Sequence, residues 1–356
     1  MLALTNLPAL AGDAVDEAVE SALRRLSERA ERHGPGAARI VRAACEAARG
    51  GKRFRPRLVL ASFQAFSDGA PFTSAVTDVA AGFELLHTAF VLHDDVIDRD
   101  VERRGLPNVS GLFRERAREA GADPDRAAQL GEAAAILAGD ILLHEATRLI
   151  AGAEVLQGQR HRLLDLLDEA ILVSATGELA DVEHATLPDE AAADAVLAAT
   201  RDKTALYSFS APLRAGALLG GAPDDALEAL AKTGRLLGLA FQLVDDLIGA
   251  FGTTQQAGRE PGADLREGKQ TALIAFARQD DSWPEVRAAV ALAGNGPAAV
   301  RVAQAAVEAT GARSVVRALI DDNLQAAQDP STTAALPAAA RDILDDIAVS
   351  IRKRIP

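Results

Sequence analysis

Four aspartates gathered at the end of one apolar segment are the first residues whose types and spacing suggest chemistry. The segment reads FELLHTAFVLHDDVIDRD over residues 83 to 100, and its aspartates are Asp94, Asp95, Asp98 and Asp100. In a helix, residues i and i+4 lie on one face, so Asp94 and Asp98 project together, whereas Asp95 is turned about a third of the circumference away. Carboxylates in this arrangement repel each other unless a cation lies between them. A solvated helix end is the alternative interpretation.

A second acidic pair favours the cation-binding interpretation. The stretch RLLGLAFQLVDDLIG repeats the order of apolar helix and aspartate pair, with Asp245 and Asp246 near its end. Two sets of carboxylates supply hard oxygen ligands, which Mg²⁺ prefers, and this ion completes its shell with waters and substrate phosphates. The two pairs therefore predict a site that binds a diphosphate through bridging metal ions.

Basic residues are grouped in a way that agrees with an anionic substrate. The turn GKRFRP holds Lys52, Arg53 and Arg55, and Arg103 and Arg104 follow the first aspartates. Arginine matches the oxygens of a phosphate with two parallel hydrogen bonds. The groups predict a second, metal-free phosphate pocket, although each group read alone also fits an ordinary surface patch.

Three further residues are candidates for the same site. His87 precedes Asp94 by two helical turns on the same face, so it points into the same cleft or is a buried core histidine. Lys203 in RDKTALYSFSAP and Lys269 in DLREGKQT are candidate phosphate ligands. Glu84 and His87 form one Glu-x-x-His, but a di-iron bundle needs that element on two helices, and the sequence holds no second copy.

Composition indicates that helices position these residues. Alanine and leucine dominate the 356 residues, and aromatic residues make up 4%. The first amphipathic helix is predicted from Asp13 to about His33, and glycine- and proline-rich breaks separate roughly a dozen such segments, with almost no strand. Short loops without linker-like stretches favour one large all-α helical bundle, a single domain over residues 1–356.

Charge, cysteine content and hydropathy narrow the range of partners. The net charge of −13 argues against nucleic acid, because phosphate backbones are bound by basic surfaces. Cys45 is the single cysteine, so no internal disulfide forms and a reducing cytoplasm is expected. The N-terminus lacks the pattern of a signal peptide, and no uncharged apolar stretch reaches the ~20 residues that span a bilayer. We therefore expect a soluble, cytoplasmic protein without stable membrane insertion.

With these motifs in this order, the chain resembles the trans-isoprenyl diphosphate synthases, also called polyprenyl synthetases. The resemblance runs from about residue 45 to 275 and rests on GKRFRP, LLHTAFVLHDDVIDRDVERRG, ILAGD, KTA, GLAFQLVDDLIGAFG and GADLREGKQT. It implies an isoprenoid-synthase helical bundle around a central cavity, normally a homodimer, that joins isopentenyl diphosphate head to tail to an allylic diphosphate. It also implies Mg²⁺ as the cofactor, with three ions in each active site.

The same resemblance implies a role for each matching residue. The metal ligands would be Asp94, Asp98 and Asp245, with Asp95 and Asp246 in support. The ligands of the allylic diphosphate would be Arg103, Lys203, Thr204, Gln242 and Lys269. The ligands of isopentenyl diphosphate would be Lys52, Arg55, His87 and Arg104. The five metal-binding aspartates and Lys203 would carry the catalysis.

Three positions depart from the family pattern. Gly249 stands where the second motif often has a third aspartate, Arg259 where a lysine is common, and Glu178 in GELAD where glutamine is usual. These departures predict weaker metal binding at the second acidic pair. Activity is still expected, because Asp245 and Asp246 are intact.

Residues before Asp94 predict the length of the product. Ala89 and Phe90 lie about one helical turn before Asp94, and Leu86 lies one turn deeper, so they should line the wall along which the product grows. Phe90 would form a partial floor that admits a C20 product, geranylgeranyl diphosphate. C15 farnesyl diphosphate or a longer chain is the alternative.

Two other functions compete with chain elongation. A terpene cyclase shares the first aspartate motif. Its second motif needs serine or threonine near Gly249 and glutamate near Thr253, and neither is present. A non-catalytic prenyl-binding subunit usually lacks aspartates of the first motif, and all three are present here. The C-terminal basic residues Arg352, Lys353 and Arg354 are expected to lie in solvent.

Overall fold

α-Helices make up nearly all the regular structure of the computed structural model, which describes residues 9–103, 105–187, 191–257 and 260–356. The helices are α1 Ala9–Glu31, α2 Pro35–Ala48, α3 Phe54–Phe66, α4 Ser74–Ile97, α5 Val109–Glu119, α6 Pro124–Gly152, α7 Gln157–Thr186, α8 Ala193–Ala205, α9 Ala211–Leu219, α10 Asp224–Phe251, α11 Thr254–Ala257, α12 Ala263–Glu267, α13 Ala272–Ala277, α14 Trp283–Ala291, α15 Pro297–Ala309, α16 Ala312–Gln328 and α17 Ala338–Arg352. A π-helical turn, Leu206–Ser210, joins α8 to α9, and a 3₁₀ turn, Ala293–Asn295, follows α14.

The predicted all-α fold is confirmed, with two local differences. The first helix begins at Ala9, before the predicted start, and ends at Glu31. The loop predicted at RRGLPN contains a small antiparallel hairpin, in which β1 (Glu102–Arg103) pairs with β2 (Leu106–Pro107). Gly105 has a φ of 76°, which only glycine adopts easily, so it permits the reversal between these strands.

The chain divides into two compact units. The N-terminal unit holds the described residues up to Asp165, together with Ala215–Gly220. The C-terminal unit holds Leu166–Arg214 and the described residues from Gly221 to Pro356. The single domain over residues 1–356 stays a prediction.

Helix α4 is the central element of the N-terminal unit, where it packs against α1, α3 and α6. Its apolar residues explain this position, since Phe83, Leu85 and Leu92 are almost completely buried. Within the described ranges, α4 is also the one helix long and apolar enough to cross a membrane, but 72% of that window is buried inside the protein. Such burial is typical of a core helix.

Helix α10 has the same central position in the C-terminal unit, where it packs against α8, α12, α16 and α17. Asp224 and Asp225 stand in its first turn, where negative charge interacts favourably with the helix dipole. The helix ends at Phe251 before Gly252, so Asp245 and Asp246 lie in its last two turns. Each unit thus presents one acidic group near the C-terminal end of its central helix.

Candidate active site

The first acidic group lies at the end of α4 in the N-terminal unit. The helix ends at Ile97, and the backbone N–H of Asp98 donates to the carbonyl of Asp94 at 2.8 Å. Asp94 is partly exposed and Asp98 is exposed, whereas Asp95 retains only 2% of its accessible surface. The helix therefore turns Asp95 inward and leaves the other two carboxylates accessible.

Arg103 returns to this group from the hairpin of β1 and β2. Its Nε donates to Asp95 Oδ1 at 2.9 Å, and its Nη2 lies 3.7 Å from Asp94 Oδ2. Asn108 Nδ2, after the second strand, donates to the carbonyl of Asp100 at 2.9 Å and so ties the hairpin to the acidic segment. Burial raises the pKa of Asp95, and the guanidinium of Arg103 partly offsets this rise. A cationic side chain is thus held beside the accessible Asp94.

Arg53, which belongs to the group predicted to bind phosphate, is paired with two carboxylates of the protein. Its Nη1 donates to Glu84 Oε1 at 3.1 Å, and its Nε donates to Asp16 Oδ1 at 2.7 Å. The residue is 9% exposed and stands just before α3 with a left-handed backbone conformation. Its neighbours in GKRFRP differ, because Lys52 is exposed and Arg55 is partly buried at the start of α3. The phosphate-binding interpretation of Arg53 stays a prediction, in which the side chain would have to leave these two carboxylates.

The remaining predicted residues of this unit lie along α4. His87 and Phe90 are partly buried, whereas Leu86 and Ala89 are completely buried. Phe90 is thus the chain-length residue that keeps accessible surface. Arg104, predicted to bind isopentenyl diphosphate, lies outside the described residues, as does Arg259.

The second acidic group lies on α10 in the C-terminal unit. Thr204 Oγ1 donates to Gln242 Oε1 at 3.1 Å, and Gln242 Nε2 donates to Asp246 Oδ1 at 3.1 Å. Burial raises the pKa of Asp246 to about 8, with the nearby carboxylates of Asp264 and Asp245 adding to the rise. A carboxyl group in this environment gains most from a neighbouring cation, since the cation stabilises its charged form.

Lys203 is held by two acidic residues of α7 in the same unit. Its Nζ donates to Glu178 Oε1 at 3.0 Å and to Asp181 Oδ2 at 3.1 Å. The glutamate at position 178 therefore adds a negative charge that the lysine balances. Lys269 is also partly buried, and its Nζ lies 3.7 Å from Glu267 Oε2. Both lysines are thus paired with carboxylates.

Arg354 reaches the second acidic group, so the expectation that it lies in solvent is wrong. Its Nη2 donates to Asp245 Oδ1, and its guanidinium carbon lies 4.6 Å from the centre of the Phe241 ring. The side chain is only 17% exposed. Arg352 behaves differently, because its half-exposed side chain pairs with Asp321 on α16 at 3.5 Å. The interactions of Arg354 combine an ion pair with a cation–π contact.

Three residues of this group are missed by sequence reasoning: Asp181, Asp264 and Arg354. Asp181 lies three residues after Glu178 in GELAD, on the same helix face. Asp264 belongs to GADLREGKQT, the motif that supplies Lys269. Both signals are therefore in the sequence, whereas nothing near Arg354 indicates its distant partner.

The donor set fits Mg²⁺ in kind. The N-terminal unit offers the accessible carboxylates of Asp94 and Asp98, and the C-terminal unit separately offers the buried carboxylate of Asp246. All of them are hard oxygen donors. Among the residues that the structure describes, no three acidic, histidine or cysteine side chains converge closely enough to hold an ion unaided. Mg²⁺ would keep several waters beside these oxygen atoms and take its remaining ligands from substrate phosphates.

Comparison with known sequences gives the family. A family model described as polyprenyl synthetase matches residues 38–310. The geranylgeranyl diphosphate synthase of Methanosarcina mazei is 31% identical over 225 residues, which are 63% of this chain and 63% of that protein. The nonaprenyl diphosphate synthase of Mycobacterium tuberculosis is 32% identical over 250 residues, which are 70% of this chain and 65% of the relative. The matched segments therefore span less than two thirds of these relatives.

Comparison with solved structures extends the similarity to nearly the whole chain. A geranylgeranyl pyrophosphate synthase from Corynebacterium glutamicum, complexed with isoprenyl diphosphate and magnesium, has a TM-score of 0.87 at 27% identity, over 96% of this chain and 98% of that one. A decaprenyl diphosphate synthase from Rhodobacter capsulatus has a TM-score of 0.74 at 30% identity, over 97% and 98%. Since the family model spans most of the sequence and includes both acidic groups, the chain belongs to the polyprenyl synthetase family.

Proposed function

We propose that the protein is a Mg²⁺-dependent prenyltransferase that condenses isopentenyl diphosphate head to tail with allylic diphosphates. The observation that carries this proposal is the end of α4, where the accessible carboxylate of Asp94 lies beside the guanidinium of Arg103 and the exposed Asp98 follows one helical turn later. Carboxylates bind the metal and arginine binds phosphate, so this one surface offers both parts of a metal–diphosphate site.

The proposed reaction begins with heterolysis of the C–O bond of the allylic diphosphate. The double bond of isopentenyl diphosphate then attacks the allylic cation, a C–C bond forms, and the released diphosphate accepts the proton that leaves. When bound, Mg²⁺ stabilises the negative charge that grows on the departing diphosphate. Cationic side chains do the same from fixed positions, because they need no reorganisation during the reaction. In this scheme Arg103, Lys203 and Lys269 contact the leaving diphosphate.

The remaining roles follow the same scheme. Asp94, Asp98 and Asp245 hold the metal ions, for which we propose a count of three. Lys52, Arg55, His87 and Arg104 bind isopentenyl diphosphate. Thr204 and Gln242 orient the buried Asp246 through their hydrogen bonds and face the allylic diphosphate.

The proposal is tested with purified protein, Mg²⁺ and radiolabelled isopentenyl diphosphate. Dimethylallyl, geranyl and farnesyl diphosphate are supplied separately, and the dephosphorylated products are separated by chromatography. We expect elongation with at least one primer and a C20 alcohol as the main product. Elongation to C15 or to a longer alcohol would retain the prenyltransferase and refute the proposed length. No elongation with any primer would favour the non-catalytic subunit instead.

Shortening Phe90 should lengthen the product. In a Phe90→Ala variant, the one chain-length side chain with accessible surface is reduced to a methyl group, which removes the ring from the path of the growing chain. We expect the main product to grow by at least one five-carbon unit, measured by chromatography of the dephosphorylated alcohols. The matched control is Phe72→Ala, at a partly buried phenylalanine just before the opposite end of α4. Unchanged products in Phe90→Ala would remove Phe90 as the floor.

Neutralising Arg354 should strengthen divalent-cation binding. The guanidinium of Arg354 contacts Asp245, so a metal ion that binds the Asp245 carboxylate must displace the guanidinium. Because the carboxylate is 35% exposed, the pair is worth at most about 1 kcal/mol, which predicts an affinity gain of about fivefold in Arg354→Gln. Calorimetric titration with Mg²⁺ and inorganic diphosphate measures it, with Arg352→Gln as control. Equal affinities in the two variants would show that Arg354 does not compete.

We also propose a homodimer in the cytoplasm. Light scattering after size-exclusion chromatography of the purified protein should give twice the mass of one chain, and fractionation of the source cells should place it in the soluble fraction. A monomer would contradict the first proposal.

A further inference from the structure

The end of α8 that carries Lys203 packs tightly against two other helices of the C-terminal unit. A Cβ atom built on Gly177 of α7 would lie 2.4 Å from the backbone nitrogen of Lys203. A Cβ atom built on Gly238 of α10 would likewise lie 2.4 Å from the Cα atom of Ala205. Contacts this close leave no room for the backbone around Lys203 to shift towards either helix. Movement of the lysine therefore belongs to its side chain.

The side chain of Lys203 is held on α7 by the residue that follows Gly177. Glu178 Oε1 accepts a hydrogen bond from Lys203 Nζ at 3.0 Å, and Asp181 Oδ2 accepts a second one at 3.1 Å. The lysine side chain is 26% exposed and that of Glu178 is 20% exposed, so water and salt screen this pair only in part. A diphosphate that binds the ammonium group must therefore compete with two carboxylates of the protein.

Lysine can leave such a pair without a change in the backbone, because its charge stands on a flexible stem of four carbons. A ligand that takes over the ammonium group gains only the difference between its own attraction and that of the carboxylates. Removing the charge of Glu178 should therefore raise the affinity for a diphosphate. The same change should have little effect once Lys203 is absent.

We propose that Glu178 sets the affinity of the protein for its allylic diphosphate, by holding the ammonium group of Lys203 on α7 until the diphosphate displaces it. The inference rests on the proposed function, in which Lys203 contacts the leaving diphosphate. Glu178 acts through the lysine, so it is a positioning residue. Binding of isopentenyl diphosphate is unaffected, because its proposed ligands Lys52 and Arg55 belong to the N-terminal unit.

The competing explanation is purely structural: the ion pair fastens α7 to α8. It predicts that loss of the Glu178 charge lowers the melting temperature and does not tighten the binding of diphosphate. Helix α7 supplies a matched control, because Glu169 forms an ion pair with Arg214 at 3.0 Å and is 42% exposed. Glu178→Gln and Glu169→Gln remove the same charge from the same helix, so they share any general effect of net charge.

The experiment is a calorimetric titration of the purified protein with inorganic diphosphate at a fixed concentration of Mg²⁺. We expect Glu178→Gln to bind diphosphate about fivefold more tightly than the wild type, as when one partly exposed ion pair no longer competes. Glu178→Ala, which also removes the hydrogen-bonding group, should give a gain of similar size. Glu169→Gln should bind as the wild type does. In a Lys203→Gln background, most of the gain from Glu178→Gln should disappear, because the two residues act as a pair.

Steady-state elongation gives a second readout that a structural role would not change. In Glu178→Gln, KM for the allylic primer should fall about fivefold, whereas KM for isopentenyl diphosphate should stay within twofold of the wild type. Equal changes in both KM values would contradict an action through Lys203.

Three results of the titration would overturn the inference. They are an affinity of Glu178→Gln within twofold of the wild type or weaker, an equal gain in Glu169→Gln, and a full gain in the Lys203→Gln background. The elongation assay separates the two proposals. An inactive wild type whose diphosphate affinity depends on Glu178 and Lys203 would refute the proposed function alone, and an active wild type without that dependence would refute this inference alone.

Discussion

Replacing Asp94 with asparagine should lower kcat/KM for chain elongation by about 10²–10³-fold, the loss typical of removing one electrostatic contact to a developing charge. Asparagine keeps the shape of the side chain and removes its charge. Asp94 is the accessible carboxylate that lies 3.7 Å from Arg103, so the metal and the arginine would be positioned around it. Steady-state assays with radiolabelled isopentenyl diphosphate measure the effect.

The dependence on Mg²⁺ identifies the cause of that loss. If Asp94 acts through the metal, the variant should need more Mg²⁺ for half-maximal activity and should recover part of its rate at high Mg²⁺. Stability should change by less than about 1 kcal/mol, since the variant loses a partly exposed contact with Arg103 and also removes the repulsion between like charges at i and i+4. Asp125→Asn, at an exposed position in the first turn of α6, is the control. A loss of less than threefold would contradict the role of Asp94.

Local patterns were sufficient to predict the helices and the two acidic groups. Apolar periodicity identifies α4 and α10, and helical spacing then determines which carboxylates share a face, because both depend on residues a few positions apart. The inward turn of Asp95 follows in the same way. The hairpin of β1 and β2 was not predicted, since strands of two residues have no period to detect.

Partners distant in sequence could not be predicted, and they decide what a charged residue does. Arg354 contacts Asp245 across 109 positions, and its own neighbours in sequence give no sign of this. A Cβ atom at Gly249 would overlap the carboxylate of Asp264 on α12, and no local pattern around Gly249 indicates this contact. The same chemistry that suits an arginine to phosphate also suits it to a buried carboxylate, as Arg53 demonstrates with Glu84.

The buried pair of Arg53 and Glu84 predicts the largest loss of stability. Their side chains are 10% and 7% exposed, so Arg53→Met leaves a buried carboxylate without its cation. Removing one partner of such a pair costs about 3–5 kcal/mol of unfolding free energy, measured by denaturant titration. Asp16→Asn should cost less than about 1 kcal/mol, because that partner of Arg53 is 55% exposed.

The double variant Arg53→Met with Glu84→Met separates structure from substrate binding. Replacing both charges with apolar side chains removes the uncompensated carboxylate, so most of the lost stability should return. If Arg53 is structural, the refolded double variant should keep the KM of the wild type for isopentenyl diphosphate, because no phosphate ligand is missing. A double variant that regains stability but loses affinity for isopentenyl diphosphate would instead make Arg53 a substrate ligand. In that case the side chain of Arg53 would leave its ion pair with Glu84 when the substrate binds.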